Sequence, residues 1–156
     1  MRLATISVLI VLSNLALGQG RPAVSVSIST PTPAIQQGTP IRLNISVLNR
    51  SNHTVQIFGP ADGKAEASNG VQVTNAEGQK LPWIGHRRGF SSRKMVAVEP
   101  GKSVDDFLTL TNDFDLTKPG QYTVVVRHEM FQPDATPPEK PGYFVESNSL
   151  TITVTD

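Results

Sequence analysis

Between Asp113 and His128 the chain reads DFDLTKPGQYTVVVRH. Pro119 presets its own φ and Gly120 tolerates conformations other residues avoid, so the pair marks a tight turn. Directly behind it, Tyr122, Val124 and Val126 alternate with Thr123, Val125 and Arg127. Successive side chains of a strand point to opposite faces, so this period sends Tyr122, Val124 and Val126 into a core. A Tyr in that place closes the corner before a core strand of a two-sheet sandwich. Pro119, Gly120 and Tyr122 are therefore expected to be structural. The acids Asp113 and Asp115 are expected to bond local backbone N–H groups in the turn. The stretch argues for a fold and for no reaction.

The same period recurs along the chain. Val24, Val26 and Ile28 alternate with three serines, and Pro31 and Pro33 end that run because neither can donate to a ladder. Gln37–Pro40 is a turn. Ile41, Leu43, Ile45 and Val47 then give the strongest strand signal, followed by the polar turn Asn49–His53 and a short return strand, Val55–Phe58. Gly59–Gly70 has no period and should be a long exposed loop. Val71–Thr74 and Lys80–Trp83 flank the turn Ala76–Gln79 and read as a hairpin. A second loop, Gly85–Arg93, leads to Met95–Val98 and to Glu99-Pro100-Gly101-Lys102, where Pro before Gly suits a type II turn. Val104–Leu110 supplies Phe107, Leu108 and Leu110. Beyond Gln121–Met130, four prolines stiffen residues 132–142, and Phe144–Thr155 closes the domain with Leu150, Ile152 and Val154 on one face. The chain has 12 Gly and 12 Pro, which fits many turns. Seven to nine strands and no helix are expected. A parallel sheet would need crossover helices, so the fold class is all-β: an antiparallel two-sheet sandwich.

The N-terminus predicts export. Met1-Arg2 precedes the apolar run Leu3–Leu12, and small residues Ala16 and Gly18 follow. This is the charge, apolar core and small-residue pattern of a secretory signal peptide. A membrane-spanning helix needs roughly 20 apolar residues, and this run is too short. The expected division is a signal peptide over 1–18 and one sandwich domain over 19–156, located in the periplasm, at the cell surface or in the medium. Loss of Arg2 with the signal brings the 14 Lys and Arg down to the number of acids, 13. A neutral chain lacks the basic face that a general grip on nucleic acid requires. With no Cys, thiolate metal sites, cysteine nucleophiles and redox chemistry are excluded.

Several segments together resemble a known group. They are Gly38-Thr39-Pro40 before the Ile41–Asn49 strand, then Asn49-Arg50-Ser51, Glu99-Pro100-Gly101, Asp115-Leu116, Pro119-Gly120-Gln121-Tyr122, and Ser147-Asn148 before the last strand. In this order they resemble bacterial exported immunoglobulin-like domains. They are also similar to the intracellular proteinase inhibitor (BsuPI-like) family. The resemblance implies an immunoglobulin-like sandwich over most of residues 23–156, and either an interaction or structural role or inhibition of an exported protease by a presented loop. The chain departs from the inhibitor's intracellular setting by its export signal. It also lacks the Cys pair of antibody domains: Val124 stands two residues after Tyr122, where the second Cys would be.

Candidate chemistry is sparse. Ser91 and Ser92 lie near His86 in a loop, with no G-x-S-x-G elbow and no orienting acid at a suggestive spacing. His53, His86 and His128 lie in three separate segments, so no metal-ligand spacing is visible. Met95 and Met130 read as core filler, with a copper-handling surface as the alternative. Asp105 and Asp106 are adjacent on a strand and face opposite sides, so they cannot flank one bond. A calcium site at Asp113 and Asp115 is the oxygen-ligand alternative to turn capping. Asn44, Asn49 and Asn52 each begin an Asn-x-Ser/Thr triplet. The one charge cluster is His86, Arg87 and Arg88 with Arg93-Lys94, flanked by Trp83 and Phe90. Aromatic plus Arg is the composition of a binding hot spot. The alternative is a solvated loop with Trp83 in the core. The expected binding residues are therefore Trp83, His86, Arg87, Arg88, Phe90 and Arg93, the expected partner is a protein, and no catalytic residue or cofactor is implied.

Overall fold

The computed structural model describes residues 23–59, 69–85, 94–131 and 142–156. The expected signal segment, His86, Arg87, Arg88, Phe90, Ser91, Ser92, Arg93 and the proline-rich stretch 132–141 lie outside the described residues. Ten strands form in chain order: β1 (Val24–Ser29), β2 (Ala34–Gln36), β3 (Arg42–Asn49), β4 (Val55–Phe58), β5 (Asn69–Asn75), β6 (Met95–Val98), β7 (Ser103–Thr109), β8 (Gly120–Phe131), β9 (Tyr143–Glu146) and β10 (Leu150–Thr155). A 3-10 turn, Leu110–Asn112, follows β7.

The strands make two sheets. One is β1-β3-β7; the other runs β2-β10-β8-β4-β6, with β5 and β9 also on β8. All pairings are antiparallel except β2 with β10. The arrangement is an immunoglobulin-like sandwich. The chain begins in one sheet, as β1 on β3, and crosses to the other within a few residues to lie parallel to β10. Pro31 and Pro33 end β1 as expected. Pro33 then offers its carbonyl to Thr153 N at 2.7 Å, which starts β2, a three-residue edge strand the alternation was too short to reveal.

The core lies between the sheets and is filled by the alternating positions. Val24, Val26 and Ile28 from β1 meet Leu43, Ile45 and Val47 from β3 and Leu108 from β7, against Tyr122, Val124, Val126 and Met130 from β8 and Ile152 and Val154 from β10. Each such aliphatic side chain stabilises the fold by about 1.5–3 kcal/mol relative to exposure. Val124 is fully buried, so an apolar contact occupies the place where antibody domains carry a cysteine. Phe107 departs from the sequence expectation: it sits on the outer face of β7, half-buried, while Leu108 and Leu110 point inward. The final apolar run is two strands, not one, because Ser147–Ser149 breaks the ladder.

Three polar devices hold the ends. The Tyr122 hydroxyl donates to the Lys118 carbonyl at 2.7 Å, closing the corner as its position implied. Gly120 beside it holds φ at 153°, a region that strains any residue with a Cβ. Asn49, at the end of β3, is fully buried. Its Nδ2 donates to the carbonyls of His53 and Val98, both at 2.8 Å, and its Oδ1 accepts from Ser51 N at 2.9 Å and Ser51 Oγ at 2.6 Å. One side chain thereby ties β3, the next turn and the end of β6 together. Burial also removes Asn49 as a glycan acceptor, correcting its reading as a triplet of equal standing with Asn52, which is exposed. Asn148 bridges the sheets: its Oδ1 accepts from Ile28 N at 2.8 Å and its Nδ2 donates to Ile28 O at 3.1 Å. The side-chain amide thus takes the place of a neighbouring strand on the outer edge of β1.

Candidate functional site

Trp83 lies past the β5 turn, at the end of the irregular stretch that follows Lys80. Only the head of the expected hairpin forms: Leu81 N reaches Val73 O at 2.9 Å, and Thr74 bridges Lys80. Pro82 cannot continue a ladder, and the chain leaves β5 to meet the segment after β7. There Trp83 makes an antiparallel bridge to Phe114, and Ile84 N donates to Asp113 O at 2.8 Å. Asp113 and Phe114 are both buried, so the backbone under Trp83 stands on the core.

The side chains above that base face solvent. Trp83 is 42% exposed and Ile84 54% exposed. This excludes the alternative that places Trp83 in the core. Two consecutive large apolar residues cannot both point inward on an extended backbone, and here neither is buried. Gly85 leaves room for both the Asp113 carboxylate and the indole: a Cβ there would collide with Asp113 Oδ1 and stand 2.7 Å and 2.8 Å from Trp83 Cε2 and Cζ2. Ile84 was absent from the expected site. Its signal in the sequence is that it follows Trp83 directly, outside any period-two run.

The second exposed apolar pair, Tyr143 and Phe144, has a different setting. Phe144 on β9 is 52% exposed, but the Arg127 guanidinium lies 5.3 Å from its ring centroid, and Arg127 Nε also pairs with Glu146 Oε1 at 3.3 Å. These are cross-strand neighbours on an outer face, and such exposed pairs contribute little to stability. Tyr143 beside it is likewise exposed.

The other sequence candidates separate. His53 is exposed in the turn after β3, whereas His128 is buried on β8 with Nδ1 3.1 Å from Glu129 O. Met130 fills the core and Met95 is half-buried on β6. Asp105 and Asp106 do face opposite sides of β7: Asp105 is exposed and accepts from Ser46 Oγ at 2.6 Å, while Asp106 accepts from Phe107 N at 2.7 Å. Asp115 caps its turn as expected, accepting from Thr117 N at 3.1 Å and Thr117 Oγ1 at 2.6 Å. Those two bonds hold its carboxyl below the usual carboxylate range. Asp113 is buried beneath Gly85, whereas Asp115 is exposed. Among the described residues no group of three or more His, Cys, Asp or Glu is placed to hold a metal ion. Nor is any helix there long and apolar enough to cross a membrane.

No protein-family model and no curated protein sequence matches the chain. Solved structures do. One is a structural-genomics target solved by X-ray crystallography, at 10% identity and a TM-score of 0.52, with 85% of this chain and 88% of the other covered. Another is Spo0M, a sporulation control protein from Bacillus subtilis, at 14% identity and a TM-score of 0.49, covering 86% of this chain and 50% of that one. A third is the CARDB domain of a Pyrococcus furiosus protein solved in complex with di-metal ions, at 10% identity and a TM-score of 0.42, covering 85% and 87%. The first likeness is one of fold alone.

Proposed function

We propose that this chain is an exported, non-enzymatic interaction module that docks a protein partner on Trp83 and Ile84, with the basic loop His86, Arg87, Arg88, Phe90 and Arg93 beside them in sequence. The observation that carries the reading is the exposure of Trp83 and Ile84 on a backbone anchored to buried Asp113 and Phe114. Large rigid aromatic side chains dominate the energy of protein interfaces, and a pre-organised anchor lowers the ordering cost of binding. Arg is enriched at the same places, which fits the sequence that follows Gly85. Export rests on the N-terminal pattern. Mass spectrometry of the protein recovered outside the cytoplasm should give Gln19 as its first residue; a chain still starting at Met1 would count against export. Affinity capture from that compartment should enrich a specific protein with the unaltered chain. Capture should fall by about tenfold or more with Trp83→Ala, since hot-spot truncations cost about 2 kcal/mol or more. Equal capture by Trp83→Ala and Ile84→Ala would remove this face from the proposal.

A further inference from the structure

The outer face of β1-β3-β7 has a composition that solvent alone does not require. Ser27 and Ser29 on β1, Asn44 and Ser46 on β3 and Asp105 on β7 are all short, so they leave a shallow depression of about 500 Å³ floored by the sheet. Neither Lys nor Glu lines it. The one long side chain there is held in place: the Arg42 guanidinium lies 4.1 Å from the Phe107 ring centroid, and its Nε donates to Asn44 Oδ1 at 3.0 Å. A guanidinium has five N–H donors, so four remain directed away from that bond. Asp105 gives Oδ1 to Ser46 Oγ at 2.6 Å and keeps its second oxygen as an acceptor.

Register sets the spacing. Asn44 pairs with Phe107 and Ser46 with Asp105. Two residues along a strand span about 7 Å, so fixed donors over Phe107 and a free carboxylate oxygen lie one row apart. The mixture of charges selects the ligand. Asp106 also lines the depression but lies on the inward side of β7, so the outward charges are Asp105 and Arg42: Asp105 repels an anion drawn to Arg42, and Arg42 repels a cation drawn to Asp105. An apolar segment would meet one half-buried ring and strand several polar groups. A neutral ligand whose groups both donate and accept satisfies all of them at once, and a hydroxyl does both. We infer that this face is a carbohydrate-binding site, with Arg42, Asn44, Ser46 and Asp105 as its polar contacts and Phe107 beneath them. It is separate from the Trp83 face and does not depend on it.

Amide spectra of the 15N-labelled protein, titrated with cellohexaose, maltohexaose and chitohexaose up to about 10 mM, test the site, since a millimolar site is then well occupied. At least one sugar should give saturable shifts centred on Ser27, Asn44, Ser46, Asp105 and Phe107. Asp105→Asn and Arg42→Ala, each checked for an unchanged fold by the rest of the spectrum, should weaken binding by about tenfold or more, as expected for loss of a charge-assisted bond. Trp83→Ala should leave it unchanged. No shift with any of the three sugars would overturn the inference. So would sugar binding that both replacements leave intact, or larger shifts of these amides with inorganic phosphate than with sugar.

Discussion

Replacing Asn49 by Ala would strand the carbonyls of His53 and Val98 and the amide of Ser51, all of which its buried side chain satisfies. Buried groups left without partners carry their full desolvation cost, so the change should destabilise the protein by about 2–4 kcal/mol in chemical denaturation. A cost below about 0.5 kcal/mol, the size of a typical surface substitution, would contradict the role given to Asn49. The sequence hid this residue because Asn before a polar turn is ordinary; only the fold shows that one amide reaches two carbonyls on two elements. Tyr122 was legible, since its place behind Pro119-Gly120 has a geometric meaning. Burial raises its phenol above 10.0, and the negative charges of Asp115 and Glu77 raise it further. A folded-state pKa above the unfolded one gives stability that is full below the unfolded value and lost as pH rises through the folded value. Alkaline conditions above about pH 10 should therefore unfold the protein more readily, and Tyr122→Phe should flatten that limb. An alkaline limb equally steep in Tyr122→Phe would place its cause elsewhere.

At the scale of elements, Asn148 is the link most easily tested. Asn148→Ala removes both bonds to the Ile28 backbone, so the Ile28 amide should exchange with solvent faster while the Val47 amide in β3 keeps its protection. Unchanged exchange at Ile28 would mean that Asn148 does not protect the outer edge of β1. The long strands were readable from alternation with Pro and Gly at their ends. β2 escaped because three residues cannot show a period, and its partner β10 lies far along the chain. The division of β9 from β10 escaped because Ser147–Ser149 reads as a polar interruption of one apolar run. The backbone setting of Trp83 escaped for a related reason: the hairpin expected to carry it stops near Lys80, and Pro82 sends the chain to Asp113 instead. Gly85→Ala tests that local arrangement. A methyl group there collides with the buried Asp113 carboxylate and with the indole, so the emission of Trp83, the only tryptophan of the chain, should shift and the protein should lose stability. An unmoved emission would mean that the indole does not lie against Gly85.

The molecule as a whole is one core between two sheets, with its least ordinary surface chemistry on the outside. Both sheets contribute to a single cluster of buried side chains, so thermal unfolding should be one cooperative transition seen equally by far-ultraviolet dichroism and Trp83 fluorescence. Two separated transitions would mean that the sheets melt independently. The fold class was legible in the sequence because a core imposes its period on many residues at once. The proposed binding surface was half legible because exposure is a property of where a backbone ends up. Trp83 and its basic neighbours drew attention by composition, but Ile84 joined them only once both side chains were seen to face solvent. The central claim is that this face, rather than the core strands that dominate the sequence pattern, meets the partner. Ile84→benzoylphenylalanine, produced in the native compartment and irradiated, tests it most directly. A discrete cross-linked protein that disappears when Trp83→Ala is added is the predicted result; no adduct, or one that Trp83→Ala leaves intact, would contradict it.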